Sequence, residues 1–265
     1  MLERRSLLQR RDPSTGNEQL IAANIDIVGI VCGLDRPVRP GRIDRFVTMA
    51  WDAGAAPLVV LTKSDLLDDA ADVEHLSAAS APGVDVRCVS SLTGAGIDQL
   101  RSSLADRTVA FVGESGAGKS ALLNALAGQE IATTGDVRDS DHKGRHTTTA
   151  RWLHSLPGRC AVIDTPGLRE VGIWTDTATV DHSFGDILEL TDGCRFRDCS
   201  HTSEPDCAVR QAVEDGRVSA QRLDNWLKLR REAASAELRA DTHAHHRAER
   251  RFGKLVRQAQ QHKRP

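Results

Sequence analysis

Gly113-Glu114-Ser115-Gly116-Ala117-Gly118-Lys119-Ser120 decides how the rest of the chain is read. The stretch follows Thr108-Val109-Ala110-Phe111-Val112, an apolar run that predicts a buried strand. It precedes Ala121-Leu122-Leu123-Asn124-Ala125-Leu126, which predicts a helix. Strand, glycine-rich loop and helix is the context in which this spacing holds phosphate. With no Cβ in the way at the glycines, backbone N–H groups can converge on an anion. The positive end of the following helix adds to the same field. The candidate phosphate-binding residues run from Gly113 through Ser120 to Ala121 at the helix start. Lys119 is expected to reach the β- and γ-phosphates, and the Ser120 hydroxyl to hold Mg²⁺.

A base-reading motif, Thr62-Lys63-Ser64-Asp65, lies upstream of this cradle at the end of the apolar run Pro57-Leu58-Val59-Val60-Leu61. In the usual GTPase order it would lie far downstream. A carboxylate at Asp65 can accept hydrogen bonds from N1–H and the 2-amino group of guanine. Adenine offers neither donor and would leave the carboxylate unpaired, which is costly. Lys63 is expected to lie across the base plane. Thr62 stands where the motif usually has Asn. Ser90-Ser91, at the end of another apolar run, would complete the pocket with a backbone N–H to the guanine oxygen.

The chain has 265 residues, 40% of them hydrophobic, and a formal charge of −2. That is enough for one moderate domain and a smaller one, and it argues against a nucleic-acid field over the whole protein. No apolar stretch reaches the roughly 20 residues of a membrane helix. The N-terminus lacks the apolar core of a signal peptide, so a soluble cytoplasmic protein with no membrane partner is expected. Tyrosine is absent and aromatics are 3%, so stacking platforms for single-stranded RNA are scarce. Of six cysteines, Cys32, Cys88 and Cys160 lie singly in apolar runs and read as small buried hydrophobes.

Apolar runs at 25–32, 57–61, 84–89 and 108–112 alternate with helical patterns at 43–51, 69–80 and 96–105. This predicts an α/β domain with a mostly parallel sheet and helices on both faces. Residues 152–156 and 160–163 predict two further strands joined at Pro157-Gly158. Three regions are expected: a basic arm over 1–24, an α/β domain over 25–188, and a metal-binding, helical unit with a basic tail over 189–265. The arm, with Arg4, Arg5, Arg10 and Arg11 ahead of a turn at Pro13–Asn17, reads equally as a solvated tail or as an RNA-touching segment.

Asp164-Thr165-Pro166-Gly167 is a second phosphate motif at a strand's carboxyl end, where open α/β sheets bind ligands. Asp164 would hold Mg²⁺ through water, and the Gly167 N–H would meet the γ-phosphate. The polar stretch 129–148 leads into Gly144-Arg145-His146-Thr147-Thr148-Thr149. Thr148, with Thr147 second, is the expected switch ligand of Mg²⁺. The position that holds a water-orienting Gln in Ras-type enzymes is Leu168, so His146 is the candidate to orient or deprotonate water. Cys194, Cys199, His201 and Cys207 supply three sulfurs and one imidazole. Such a closed set suits one tetrahedral, structural Zn²⁺.

Together these motifs resemble the RsgA/YjeQ family of circularly permuted GTPases that depend on the small ribosomal subunit. The resemblance spans about residues 22–240. It is carried by Ala22–Asp26, Leu61–Asp65, the cradle, Gly144–Thr149, Asp164–Gly167 and Cys194–Cys199. It implies a permuted phosphate-loop GTPase domain followed by a small zinc-binding helical domain. It also implies GTP and GDP as ligands, and late assembly of the small subunit and its rRNA as the task. Ribosome-stimulated hydrolysis and His146 as the catalytic residue beside Lys119 and Thr148 come from the same resemblance. Family members usually carry an N-terminal OB-fold, and the arm over 1–24 is expected as a remnant of, or linker from, that barrel. A monomer is expected. The rival readings are a nucleotide-gated RNA- or ribosome-binding scaffold with negligible hydrolysis, and an ATPase.

Overall fold

The structure is a computed structural model, and it describes residues 3–11, 18–67, 83–132, 152–164 and 175–238. Eight strands are formed among the described residues: β1 (Leu7–Arg11), β2 (Glu18–Ala23), β3 (Ile27–Gly33), β4 (Ala56–Thr62), β5 (Asp85–Cys88), β6 (Thr108–Gly113), β7 (Trp152–Ser155) and β8 (Ala161–Asp164). The helices are α1 (Pro40–Asp52), α2 (Ile97–Ser103), α3 (Lys119–Ala127), α4 (Thr177–Ser183), α5 (Gly185–Thr191), α6 (Ala208–Glu214) and α7 over 220–238. The helix expected over 69–80 lies outside the described residues.

Six strands form one sheet in the order β5-β4-β3-β6-β8-β7. Every pair is parallel except β7–β8, which is antiparallel. The two-residue side-chain period of a strand divides the apolar residues between two faces. Val28, Ile30, Val59, Leu61, Ala110 and Val112 meet Ile43, Phe46, Val47 and Ala50 of α1 on one face. Val31, Leu58, Val60, Val109 and Phe111 meet Leu100 of α2 and Leu122, Leu123 and Leu126 of α3 on the other. Strands covered on both faces must be apolar throughout, which is why they read as unbroken runs. Cys32 and Cys88 are half-buried against the first core, and Cys160 is buried in the second.

The N-terminal segment differs from the expected arm. Its described residues form an antiparallel hairpin, with Leu8 and Ile21 buried in the same core as α1. Ser6 donates to the Ile25 carbonyl at 2.6 Å, and the Leu7 N–H bonds the Ala53 carbonyl at 2.8 Å. The apolar residues of the two strands lie side by side, at 7–8 and 20–23, and do not alternate, so no two-residue period shows and the arginines dominated the reading.

A third apolar cluster gathers Val180, Phe184 and Ile187 with Cys207, Val209, Ala212, Trp226, Leu229 and Ala233. The C-terminal core therefore takes in α4 and α5, which the sequence reading had grouped with the α/β domain. None of the described helices is long and apolar enough to cross a membrane.

Candidate functional site

β4 and β6 lie on either side of β3, and all three run parallel. The segments leaving their carboxyl ends must therefore meet above β3, although 55 residues separate Thr62 from Ala117 in sequence. The hydrogen bonds are direct. Thr62 Oγ1 donates to the Ala117 carbonyl at 2.6 Å and lies 3.3 Å from the Cys32 carbonyl. Lys63 Nζ donates to the Gly116 carbonyl at 3.0 Å. The base motif is thus fastened to the cradle itself. Threonine in place of the usual asparagine still supplies the needed donor.

Backbone shape explains which residue types stand here. Lys63 has φ +62°, a left-handed conformation that turns the chain sharply after β4. The turn starts a short 3₁₀ segment, Ser64–Leu66, which carries Asp65. Gly118 has φ +89°, and a Cβ there would lie 3.2 Å from Thr62 Oγ1. Gly113 has φ +144°, and its Cβ would meet the Val31 carbonyl at 2.3 Å. Side chains at either glycine would push the cradle off the sheet. α3 begins at Lys119, directly after Gly118. Lys119 Nζ donates to the Gly113 and Glu114 carbonyls at 2.8 and 2.6 Å, folded across the loop it belongs to. Ser115 lies in the loop, Ser120 and Ala121 in the first turn of α3.

At the base end, Ser90 donates a short hydrogen bond to Asp65 Oδ1. Ser90 Oγ in turn accepts from the Leu92 and Thr93 N–H groups at 3.2 and 3.1 Å. One carboxylate oxygen is thereby fixed, and Asp65 remains solvent-exposed. The Ser90 N–H is already given to the Ala95 carbonyl at 2.9 Å. Among the described residues no acceptor meets the Ser91 N–H, so Ser91 is the one of the pair with a backbone donor to offer.

Three charged residues at this site escaped the sequence reading. Asp35 Oδ2 pairs with Lys63 Nζ at 2.9 Å and with Arg36 at 3.0 Å. Hydrogen bonds from Arg36 and Lys63 hold the Asp35 carboxyl down at about 2. Glu114 of the cradle pairs with Arg42 and lies 3.9 Å from Arg36. The only signal was position: Asp35 and Arg36 follow the strand that lies between the two motif strands. Of the second phosphate motif, Asp164 ends β8, with its backbone opposite Phe111 of β6. Gly167, His146, Thr147, Thr148 and Leu168 lie outside the described residues.

Cys194, Cys199, His201 and Cys207 come together beside the third apolar cluster, their ligand atoms all within 4.8 Å of one another. Cys194 Sγ lies 3.6 Å from His201 Nδ1 and 3.9 Å from Cys207 Sγ, and Cys207 Sγ lies 3.5 Å from His201 Nδ1. A tetrahedral zinc site with bonds of about 2.3 Å to sulfur and 2.0–2.1 Å to nitrogen has edges of about 3.8 and 3.6 Å. Donor set and spacing both fit Zn²⁺. His201 has φ +60° and packs its ring against Trp226, with centroids 5.3 Å apart. Burial raises the Cys194 thiol, but the Val209 and Ala208 N–H groups and the neighbouring thiols outweigh it and lower the net pKa. Burial and the neighbouring Cys207 and Cys194 thiols push Cys199 up to about 11. Such opposition is expected of thiols too close to ionise together without a cation between them.

Residues 1–174 match the family model described as RsgA GTPase. The small ribosomal subunit biogenesis GTPase RsgA 1 of Listeria monocytogenes is 44% identical over 235 residues, covering 88% of this chain and 68% of the relative. The protein of that function from Streptomyces avermitilis is 45% identical over 252 residues, 94% of this chain and 68% of the relative. Among solved structures, YjeQ from Thermotoga maritima superposes with a TM-score of 0.65 at 29% identity, over 88% of this chain and 77% of that one. YloQ, described as a circularly permuted GTPase, gives 0.62 at 26% identity, over 88% and 74%.

Proposed function

Since the chain belongs to the RsgA GTPase family, we propose that it hydrolyses GTP at the single site where β4 and β6 end, in the service of small-subunit assembly. The observation that carries this reading is the pair of hydrogen bonds from Thr62 and Lys63 to the cradle carbonyls of Ala117 and Gly116. They support one nucleotide spanning both motifs despite the permuted order. GTP would lie with guanine on Asp65, the Lys63 stem along the base, and the Ser91 N–H toward the guanine oxygen. Its phosphates would lie over the backbone from Glu114 to Ser120, with Lys119 released from the carbonyls it now bonds.

Ser120, Thr148 and Asp164 would hold Mg²⁺, which neutralises charge on the β- and γ-phosphates. The Gly167 N–H would meet the γ-phosphate. His146 would orient the attacking water and accept its proton, the task Leu168 has no polar atom to perform. Cys194, Cys199, His201 and Cys207 would hold one structural Zn²⁺. The relatives' names supply the partner class, the small ribosomal subunit, and its rRNA would be part of the surface met. Cytoplasmic location and a monomeric state complete the proposal, as does the division into a GTPase domain and a zinc-binding helical domain, moved from the expected 188/189 toward residue 175 on the ground that α4 and α5 pack with the C-terminal core.

Steady-state GTP turnover measured with and without purified small subunits tests it. Turnover that rises on adding subunits is expected. Bound GTP with no turnover under either condition would replace the enzyme by a nucleotide-gated scaffold, and tighter binding of ATP than GTP would overturn the base assignment.

A further inference from the structure

α1 is held on the sheet by Ile43, Phe46, Val47 and Ala50, so its polar residues are free for other work. Asp44 is only 5% exposed, yet it is a carboxylate. Arg222 of α7 donates to Asp44 Oδ1 at 2.9 Å, and Asn225 to Oδ2 at 2.8 Å. Burial pushes the Asp44 carboxyl up to about 6, while Arg222 and Asn225 pull it back. The same guanidinium grips Asp186 of α5 with two bonds, at 2.7 and 2.6 Å, and lies 4.5 Å above the Phe184 ring. One residue further on, Arg45 makes a two-bond contact with Glu232, at 2.7 and 3.0 Å. Gly41 is pressed close as well, since a Cβ there would lie 2.7 Å from Asn225 Oδ1.

Between these contacts, Arg42 faces the other way and pairs with Glu114, the second residue of the cradle. One turn of α1 thus touches α7 through Gly41, Asp44 and Arg45, and the nucleotide cradle through Arg42. A buried ion pair adds little stability over an apolar pair of equal size, but it fixes one registration of the parts it joins. Here the parts are the C-terminal helices and the turn that carries Arg42.

We propose that Arg222 is a positioning residue for the nucleotide cradle: through Asp44 it sets the first turn of α1, and through Arg42 that turn sets Glu114. The proposal rests on the reading of the cradle as the GTP site. By linkage the effect is reciprocal, so a nucleotide that shifts Glu114 also shifts α7 and whatever the C-terminal unit contacts. This route passes through α1 and is separate from the chain segment that follows Asp164.

A double-mutant cycle on the full chain tests it, with affinities for GDP and a non-hydrolysable GTP analogue read for Arg222→Ala, Arg42→Ala and the pair. Each single variant is expected to lose about five- to tenfold in affinity, and the pair no more than the worse single. Arg217→Ala, an exposed arginine paired with Asp215 in the same unit, is expected to bind as the parent does. Where Arg222→Ala lowers zinc content or helicity, Asp44→Asn takes its place with the same expected pattern. Losses that multiply in the pair, or an unchanged affinity in a folded Arg222 or Asp44 variant, would overturn the proposal. Lys119→Ala is measured alongside: if it still binds nucleotide, the site reading fails, whereas its loss beside a multiplicative cycle rejects the coupling alone.

Discussion

The six-stranded sheet and the C-terminal helical unit solve the same problem by different means. The sheet is covered on both faces, and each of β3, β4 and β6 contributes buried residues to two cores. The C-terminal unit has one small core, built from three helices of seven residues each and one long one. Short helices are marginal by themselves, and the segment between α5 and α6 has no regular structure beyond turns and bends. Four side chains that can share a metal lie in and beside that segment. The contrast is between a sheet with two cores and a small unit that gathers four candidate metal ligands where regular structure is lacking.

The sharpest separation of the two comes from removing the metal. A chelator is expected to release one Zn²⁺ per chain and strip hydrogen-exchange protection from residues 194–233, with β3, β4 and β6 unaffected. The effect is large because apparent zinc affinities of about 10–16 kcal/mol are folding free energy in such sites. Helices α6 and α7 that stay protected without metal would erase the contrast.

Lys119→Ala should act on the other region alone. Losing charge-assisted bonds to phosphate costs about 3 kcal/mol or more, so GTP and GDP affinity should fall at least about a hundredfold while zinc content is unchanged. Titration with a fluorescent guanine nucleotide, paired with metal analysis, checks both halves. Asp65→Asn should cost about 2–3 kcal/mol in GTP affinity and redirect preference toward xanthosine nucleotides. Equal guanosine binding in the variant would remove Asp65 from base recognition. Smallest is Thr62→Ala, which deletes the 2.6 Å bond to the Ala117 carbonyl. About 1 kcal/mol, or a several-fold weaker affinity, is expected, with the thermal midpoint of the sheet little changed. A loss as large as that of Lys119→Ala would show that the cradle depends on the base motif for its shape.

Much of the candidate nucleotide site could be nominated from sequence because its chemistry is local. Gly113 to Ser120 must be consecutive for their N–H groups to face one phosphate, so the motif survives in the order of residues. The candidate zinc ligands share that property, since all four lie within 194–207. Asp35, Arg36 and Arg42 were missed because their partners, Lys63 and Glu114, are distant in the chain. Val180, Phe184 and Ile187 fell within the expected 25–188 domain yet pack in the C-terminal cluster, for a related reason: an apolar helical face announces burial without saying against what.

Residue order alone was sufficient for the parallel α/β class, and it nominated the phosphate cradle, the inverted place of the guanine motif and the metal-ligand set. All of these depend on spacing within a few residues or on the alternation of strand and helix. The fold had to decide that β3 lies between the two motif strands, that the N-terminal residues close into a hairpin on the core, and that one turn of α1 touches both the cradle and α7. Those facts depend on which surfaces meet across long stretches of chain. Apolar burial selects such meetings collectively, and no short stretch of sequence encodes them.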